Sequence, residues 1–143
     1  MGKCDDYTLI ALSVMRAKGI PVLKDFIPQW PFRSSGHSWC VLLCNSGKNI
    51  IFDGASPGGI NFHIDDPMGK VFRECYAINK DIIQLHKAEK HIPYHLRSRF
   101  IKDVTDEYQK TSDIKIKLES VLGKYAYLSV FDNATWVPVK NKH

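Results

Sequence analysis

The first stretch of the chain has a helical pattern of apolar residues. Between residues 5 and 18 the apolar side chains recur at steps of three and four, which is typical of one face of an amphipathic helix. This stripe consists of Leu9, Ile10, Leu12, Val14 and Ala17, with Ser13 inside it. Two aspartates after Cys4 favour a start at or just after that residue, and Gly19 and Pro21 predict the end of the helix.

Apolar runs after this helix predict strands, two of which form a hairpin. A strand is predicted over residues 20–27, and a loop with large apolar side chains follows over residues 28–36. Residues 37–44 are nearly all apolar, as in a strand that is covered on both faces. The turn sequence at residues 45–48 leads into residues 49–53, so we expect these two segments to pair as a hairpin.

The middle of the chain has a weaker pattern. Val71 and Phe72, and then residues 76–83, predict one or two further strands. Residues 91–99 predict either a linker or a short helix. This part of the chain is therefore expected to extend the sheet.

Beyond residue 103 the pattern changes to alternation, which predicts a small antiparallel β module. Its segments are residues 114–118, 125–131 and 136–139, with a turn at residues 132–134. The predicted fold class is α+β, with a core over residues 1–100. The β module, complete or not, then occupies residues 101–143.

The composition is that of one ordinary globular domain. Of the 143 residues, 44% are hydrophobic and 24% are charged, which argues against disorder. No run of about 18 apolar residues occurs, so no membrane span is expected, and the first residues lack the pattern of a signal peptide. The four cysteines include no C-x-x-C pair, so neither a disulfide scaffold nor a structural zinc site is favoured.

The net charge of +5 permits an anionic partner without requiring one. Residues 80–102 hold six basic and two acidic residues, a net charge of +4, together with His86, His91 and His95. An anion-binding patch is one interpretation, and a nucleic acid bound there would be released by salt. A solvated face or linker is favoured, because neither aromatic interleaving nor a nucleic-acid motif accompanies the charges. We therefore expect no nucleic-acid partner. The spacing of the three histidines fits no metal-ligand pattern, so we also expect no metal site.

Cys4, His37 and Asp53 supply the three groups of a cysteine-dependent site. Cysteine is a nucleophile as the thiolate, and a helix N-terminus favours that form. An imidazole is needed to hold the proton, and a carboxylate is needed to fix the tautomer and orientation of the imidazole. The sequence therefore offers a candidate nucleophile, base and orienting group.

The register of the predicted hairpin decides whether His37 and Asp53 meet. A three-residue loop centred on Ser46 makes the numbers of paired residues sum to 92, which pairs Trp39 with Asp53 and leaves His37 diagonal on the same face. A tighter loop gives a sum of 90 and pairs His37 with Asp53 directly. A four-residue loop would separate them. Gly47 stands where a positive φ is needed and favours the three-residue loop.

The surrounding residues resemble the core of the transglutaminase-like superfamily. The resemblance lies in Gly2-Lys3-Cys4, Met15-Arg16-Ala17-Lys18-Gly19-Ile20-Pro21-Val22, Gly36-His37-Ser38-Trp39 and Ile51-Phe52-Asp53. These segments extend over residues 2–56. The order Cys, His, Asp, the arginine-glycine-isoleucine-proline texture after the helix and the Trp two residues past the His are specific in combination.

The resemblance implies a papain-like triad, with a helix-borne Cys packed on an antiparallel sheet. Cys4 would be the nucleophile, His37 the general base and then acid, and Asp53 the orienting group. A thioester intermediate would serve hydrolysis or acyl transfer at peptide, glutamine or asparagine amides of a protein or peptide substrate. No cofactor or metal is implied, and hydrolysis is favoured because nothing resembles the calcium sites of cross-linking enzymes. Trp30 and Trp39 are candidate substrate-binding walls of the cleft, with core packing as the alternative.

Two further expectations follow from the resemblance. In the family the region before the Cys supplies helices and a second oxyanion donor beside the Cys4 backbone N–H. Only three residues precede Cys4, so we expect the start of the core to be missing, which would leave an apolar face open to homo-oligomer formation. The distal residues resemble β modules that follow such cores in exported or lipid-anchored bacterial proteins. That likeness implies a carbohydrate contact through the module and leaves the localisation open.

Two rival functions come from other classes. The first is a catalytically inactive module that holds peptide or carbohydrate with the Trp30 loop and the distal strands. It predicts an unreactive Cys4 and binding that survives Cys4→Ala. The second is a nucleic-acid binder that uses the charges of residues 80–102, and affinity that does not change between 50 and 200 mM salt would dismiss it.

Overall fold

A five-stranded antiparallel sheet carries the two α-helices of the described residues. The computed structural model describes residues 2–54, 56, 59–60, 62–63, 65–117, 119 and 125–142. Its helices are α1 (Cys4–Ala17) and α2 (Lys80–Ala88), and its main sheet consists of β1 (Val22–Ile27), β2 (His37–Leu42), β3 (Ile50–Phe52), β4 (Phe72–Glu74) and β5 (Ile101–Asp103) in the order β3-β2-β1-β4-β5. A separate two-stranded sheet consists of β6 (Ala126–Asp132) and β7 (Thr135–Lys142). The predicted α+β class is confirmed.

Helix α1 starts and ends where the sequence predicts. The Asp6 carboxylate accepts the Lys3 backbone N–H at 2.7 Å, which caps the first turn. At the other end Gly19 N–H donates to the Arg16 carbonyl at 2.9 Å and Ile20 N–H donates to the Met15 carbonyl at 3.0 Å. This pair of bonds is a Schellman motif, so the carbonyl groups of the last turn are satisfied as the chain leaves the helix.

The buried face of α1 differs from the predicted apolar stripe. Thr8 and Leu12 are the buried residues of the helix, whereas Leu9, Ile10 and Val14 are more than half exposed. A polar residue can occupy the buried face because the Thr8 hydroxyl donates to a backbone carbonyl of β2, that of Ser38. The expected stripe was therefore wrong for three of its apolar members.

The hairpin of β2 and β3 has the register predicted for a three-residue loop. Cys40 pairs with Phe52 and Leu42 pairs with Ile50, so the numbers of paired residues sum to 92. Gly47 has a φ of +78°, and its N–H donates to the Cys44 carbonyl at 3.0 Å. The positive φ that favoured this register in the sequence is therefore present.

The predicted strand at residues 76–83 is wrong, because α2 begins inside it. The side chain of Asn79 accepts the Asp81 backbone N–H at 3.0 Å and caps the helix. Ile82 and Leu85, three residues apart, are its buried residues and pack against Phe72 of β4. Helical spacing thus outweighs the local β-branched residues. A 3₁₀ helix at Tyr94–Leu96 is the short helix that residues 91–99 left open.

The two faces of the sheet have different coverings. On one face α1 packs against Val22 and Cys40, and α2 packs against Phe26 and Phe72. The other face carries an aromatic and aliphatic core, whose buried members are Ile27, Trp30, Trp39, Val41, Phe62, Met68, Val71 and Val104. Because successive residues of a strand point to opposite faces, Trp39 and Cys40 lie on different sides of the sheet.

The distal residues extend the core before they form the small β sheet. Strand β5 pairs with β4, with Arg73 opposite Lys102. Val104 belongs to the buried core, and a 3₁₀ helix follows at Thr105–Glu107. Residues 114–117 form no strand, and Leu118, at the end of that predicted segment, lies outside the described residues. In the part of the chain that the structure describes, no helix is long and apolar enough to cross a membrane.

Candidate active site

His37 and Asp53 form a hydrogen-bonded pair at one end of the sheet. His37 is the first residue of β2 and Asp53 follows β3, so the hairpin register brings them to the same face. His37 Nε2 lies 3.1 Å from Asp53 Oδ1, and the Asp53 side chain is only 5% exposed. An ionised carboxylate only accepts, so Nε2 is the donor. Nδ1 is then the ring nitrogen left to exchange a proton with another group.

The residue after Asp53 is pressed against α1. A Cβ atom on Gly54 would collide with the backbone carbonyl of Tyr7, so this approach requires glycine. The Asp53 backbone N–H donates to the Gly59 carbonyl at 2.9 Å, which holds the start of the loop. The carboxylate is thereby fixed relative to the helix that carries Cys4.

Two buried aromatic rings enclose the imidazole of His37. The centroid of the Trp39 ring lies 5.9 Å from that of His37, and Phe62 meets the imidazole edge-on at 5.7 Å. Trp39 and Phe62 also pack on each other, with centroids 4.8 Å apart. Close packing of this kind restricts rotation of the imidazole and favours the orientation that keeps Nε2 on Asp53.

A buried polar network holds Trp39 in turn. Its indole N–H donates to the Tyr108 hydroxyl at 2.8 Å, and that hydroxyl donates to the Asp25 carboxylate at 2.7 Å. Arg73 donates two bonds of 2.8 Å to the same carboxylate and also pairs with Glu107 at 2.8 Å. The Asp25 side chain is fully buried, so Arg73 supplies the charge that compensates it.

The protonation of this network is set by burial and by its own charges. Burial raises the pKa of Asp25, although the hydrogen bonds from Arg73 and Tyr108 act to lower it. Burial and the charge of Asp25 raise the pKa of Tyr108. Burial acts to lower the pKa of Arg73, but the bonds and charges of Asp25 and Glu107 outweigh it and raise that pKa. Tyr108 therefore keeps its hydroxyl proton and Arg73 its charge near neutral pH.

Cys4 and His37 line the same cleft, which has a volume of about 520 Å³. Cys4 is the first residue of α1, and its side chain is half-buried. The backbone N–H at this position has no acceptor within the helix. The cleft runs between the first turn of α1 and the segment after α2, where Arg97 and Ser98 line it, and Phe26 of β1 lines it from the sheet.

Lys24 places a buried positive charge in this cleft. Its Nζ lies 3.1 Å from the Asp5 carboxylate and 2.9 Å from that of Glu74, and its side chain is 12% exposed. Burial acts to lower the pKa of Lys24, but the hydrogen bonds with Glu74 and Asp5 raise it. Sequence reasoning missed Lys24, because one lysine in a short apolar run forms no motif. Its signal was a charge on the inward face of a predicted strand.

Trp30 and Trp39 belong to the core rather than to the described lining of the cleft. They are 1% and 0% exposed and lie in the cluster on the face away from α1. Trp39 touches the site through the His37 ring, and Trp30 packs against Phe62 with centroids 5.7 Å apart. Trp39 therefore supports the imidazole directly, and Trp30 supports it through Phe62.

The other thiols differ from Cys4 in their surroundings. All four cysteines are free, and Cys40 is buried beneath α1. Burial, aided by the charge of Asp53, raises the pKa of Cys40 to about 11, which keeps this thiol protonated and unreactive near neutral pH. Within the described residues, no group of three or more His, Cys, Asp or Glu side chains is arranged to hold a metal ion.

The structure thus brings the three candidate residues to one end of the sheet. His37 and Asp53 are bonded to each other, and Cys4 faces the same cleft as His37. Comparison with protein-family models, with curated proteins and with solved structures finds no match to this chain.

Proposed function

We propose that the protein is a cysteine-dependent amide hydrolase or acyltransferase of the transglutaminase-like type. The observation that carries the proposal is the bond of 3.1 Å between His37 Nε2 and the buried Asp53 carboxylate, at the cleft that also holds Cys4. A histidine at a strand end or an aspartate before a turn is common by itself. Their pairing beside a cysteine at a helix N-terminus is what acyl transfer through a thioester requires.

The first half of the reaction forms the thioester. His37 Nδ1 takes the proton of the Cys4 thiol, and the sulfur attacks the carbonyl carbon of the substrate amide. The C–N bond then breaks, and the imidazolium returns its proton to the departing amine. Asp53 stabilises the charge on the ring during these steps and holds Nδ1 towards the cleft.

The second half regenerates the thiol. Water or an amine attacks the thioester carbon while His37 takes the proton of the attacking group, and the C–S bond breaks. The proton then returns to the sulfur of Cys4. Water yields a carboxylic acid and an amine yields a new amide, so the choice depends on which nucleophile the cleft admits. All atoms are supplied by the side chains and the two substrates, and hydrolysis is the simpler outcome.

Helix α1 contributes to both halves. The Cys4 backbone N–H stands at the positive end of the helix dipole without an intrahelical acceptor. It is therefore available to the oxyanion that forms at the attacked carbonyl. Among the described residues, no hydrogen bond joins the Cys4 thiol to His37. Catalytic hydrogen bonds are often long in an enzyme without substrate and shorten when substrate binds.

The test is the pH dependence of iodoacetamide labelling at each cysteine, measured by peptide mass spectrometry. An ordinary thiol reacts as its thiolate forms near pH 8.5. We expect Cys4 to label rapidly at pH 6, and we expect that reactivity to be lost in His37→Ala and kept in His63→Ala, where an exposed histidine is removed. Cys44 and Cys75 are half-buried internal references, and buried Cys40 should not label.

Ordinary labelling of Cys4 in the unmodified protein would overturn the catalytic assignment. Rapid labelling that survives His37→Ala would overturn the role of the imidazole alone. In the first case a non-catalytic binding module becomes the better description, because its peptide or carbohydrate binding does not depend on the thiol.

A further inference from the structure

A second groove adjoins the cleft of Cys4. It has a volume of about 780 Å³ and lies between the segment that follows α2 and strand β7. Tyr94, His95 and Arg97 line both the groove and the cleft, so the two form one continuous surface. A ligand that reaches Cys4 can therefore extend into the groove and contact the small β sheet through Trp136.

Arg97 stands where the groove meets the cleft, with most of its donors free. Its Nε donates to the Ile92 carbonyl at 2.9 Å, which orients the guanidinium. Its own carbonyl accepts a bond of 2.8 Å from His86 Nε2, which fixes the backbone. Among the described residues no carboxylate lies within ion-pair distance of Arg97. The two terminal nitrogens, for which the described residues show no bonded partner, form the planar fork that matches a carboxylate.

Two exposed aromatic rings line the groove near this guanidinium. Tyr94 is 77% exposed and Trp136 is 66% exposed. Trp136 packs against Phe131 with ring centroids 5.1 Å apart, so one side of the ring is supported while much of its surface remains open. Large exposed aromatic rings beside an arginine are typical of binding surfaces.

The charge of the groove favours an anionic ligand. Lys90 and Arg97 are its permanent cations, and Glu89 is the acidic residue among its described lining residues. Burial lowers the pKa of His95, so this imidazole adds no charge near neutral pH. Two of the basic residues counted in residues 80–102, Lys90 and Arg97, therefore line this groove.

We propose that this groove binds an acidic residue of the polypeptide substrate, with its carboxylate on Arg97 and the adjoining chain across Tyr94 and Trp136. The part of this inference that runs the chain on to Cys4 rests on the proposed function. A neutral glycan would use the aromatic rings but would leave the guanidinium without the planar anion that it pairs with best. The Arg97 groove thus selects for acidic sequences next to the reacting amide.

The test measures peptide binding without chemistry. In Cys4→Ser, fluorescence anisotropy compares a fluorescein-labelled glycine–serine peptide that carries a Glu-Glu pair with a twin that carries Gln-Gln. We expect the Glu-Glu peptide to bind roughly tenfold more tightly, the size of effect that a charge-assisted hydrogen bond gives. Arg97→Gln should remove this preference. Arg99→Gln, which makes the same charge change outside both cavities, should keep it.

Trp136→Ala provides a second variant on the exposed hairpin. It should weaken the binding of both peptides by a similar factor, because the indole ring packs against the backbone and the methylene groups that Glu and Gln share. Equal binding of the two peptides, a preference that survives Arg97→Gln, or displacement by maltotriose as a neutral glycan would each overturn the proposal. A preference without Cys4 reactivity at pH 6 would leave the groove standing and remove the chemistry. Reactivity without a preference would do the reverse.

Discussion

The indole N–H of Trp39 donates to the hydroxyl of Tyr108 at 2.8 Å, across 69 positions of the chain. Trp39 packs on the imidazole of His37, and the Tyr108 hydroxyl in turn donates a hydrogen bond to the buried Asp25 carboxylate. The candidate site is therefore supported by a residue from beyond the boundary at residue 100 that the sequence pattern suggested. Tyr108 acts on the site through Trp39, which makes it a positioning residue.

Tyr108→Phe is expected to lower the free energy of unfolding. The change removes one bond to Asp25 and leaves the Trp39 N–H without its acceptor in a buried place. Leaving buried polar groups unsatisfied costs about 1–3 kcal/mol. Urea unfolding followed by fluorescence measures the loss.

The control for Tyr108→Phe is Tyr76→Phe, because the Tyr76 ring is 74% exposed. This control should leave the stability unchanged. Iodoacetamide labelling of Cys4 at pH 6, without denaturant, separates positioning from mere stability. In Tyr108→Phe a loosened Trp39 should slow that labelling even though the protein is still folded. Equal stability of the two variants would contradict the role assigned to the network.

The site was partly visible in the sequence because hairpin arithmetic is local. A glycine at the turn favours one loop length and hence one register, and that register determines that His37 and Asp53 share a face. The position of Cys4 at the start of a helix was equally local. The strand predicted over residues 76–83 is wrong because Asn79 caps a helix there, in which Ile82 and Leu85 are buried at helical spacing.

The buried network was not visible, because its members are far apart in the chain. Asp25 and Arg73 meet only when β1 pairs with β4, and Tyr108 arrives from the segment after β5. A clue was present in that a charged residue inside an apolar strand needs a partner. No local pattern states which residue that partner is, so the contact had to come from the structure.

Gly54→Ala is expected to disturb the site through backbone crowding. The added methyl group would meet the Tyr7 carbonyl, so either α1 or the residue after Asp53 has to move. Overpacking of this kind costs about 1–3 kcal/mol, and the movement should also slow labelling of Cys4 at pH 6. Thermal unfolding and the labelling assay measure the two effects.

Gly59→Ala is the matched control for Gly54→Ala, since the nearest atom to its added methyl group would be the Ser56 hydroxyl oxygen at 4.0 Å. It should leave stability and labelling nearly unchanged. A Gly54→Ala protein that behaves like the control would show that the contact with α1 does not constrain the site.

Asp53→Asn is expected to slow Cys4 labelling at pH 6 by about tenfold or more, with the fold retained. The amide has the shape of the carboxylate but no charge to stabilise an imidazolium ion, and a tenfold change corresponds to about 1.4 kcal/mol. At pH 9, where thiolates form without help, the variant should label like the unmodified protein.

Asp65→Asn, at an exposed position, is the control for Asp53→Asn and should label normally at both pH values. The pH dependence distinguishes the proposed role from a structural one. A variant slowed equally at pH 6 and pH 9 would mean that Asp53 merely holds the loop, and an unaffected variant would remove Asp53 from the triad.

Asp103→Asn is expected to reduce stability in a way that depends on pH. Partial burial acts to raise the pKa of Asp103, but the bonds from Lys70 and Thr105 outweigh it, so that pKa lies below its usual value of 3.8. A lowered carboxyl pKa means that the unfolded chain binds the proton more tightly than the native protein. The stabilisation is therefore complete above about pH 5 and is lost as the pH falls through the native pKa. At pH 7 the variant should lose about 1 kcal/mol of unfolding free energy, and at pH 2 the difference should nearly vanish.

Asp106→Asn, at an exposed neighbouring position, should change little at either pH. Urea unfolding at the two pH values makes the comparison, and a loss of equal size at both would mean that the side chain acts through packing rather than through its charge.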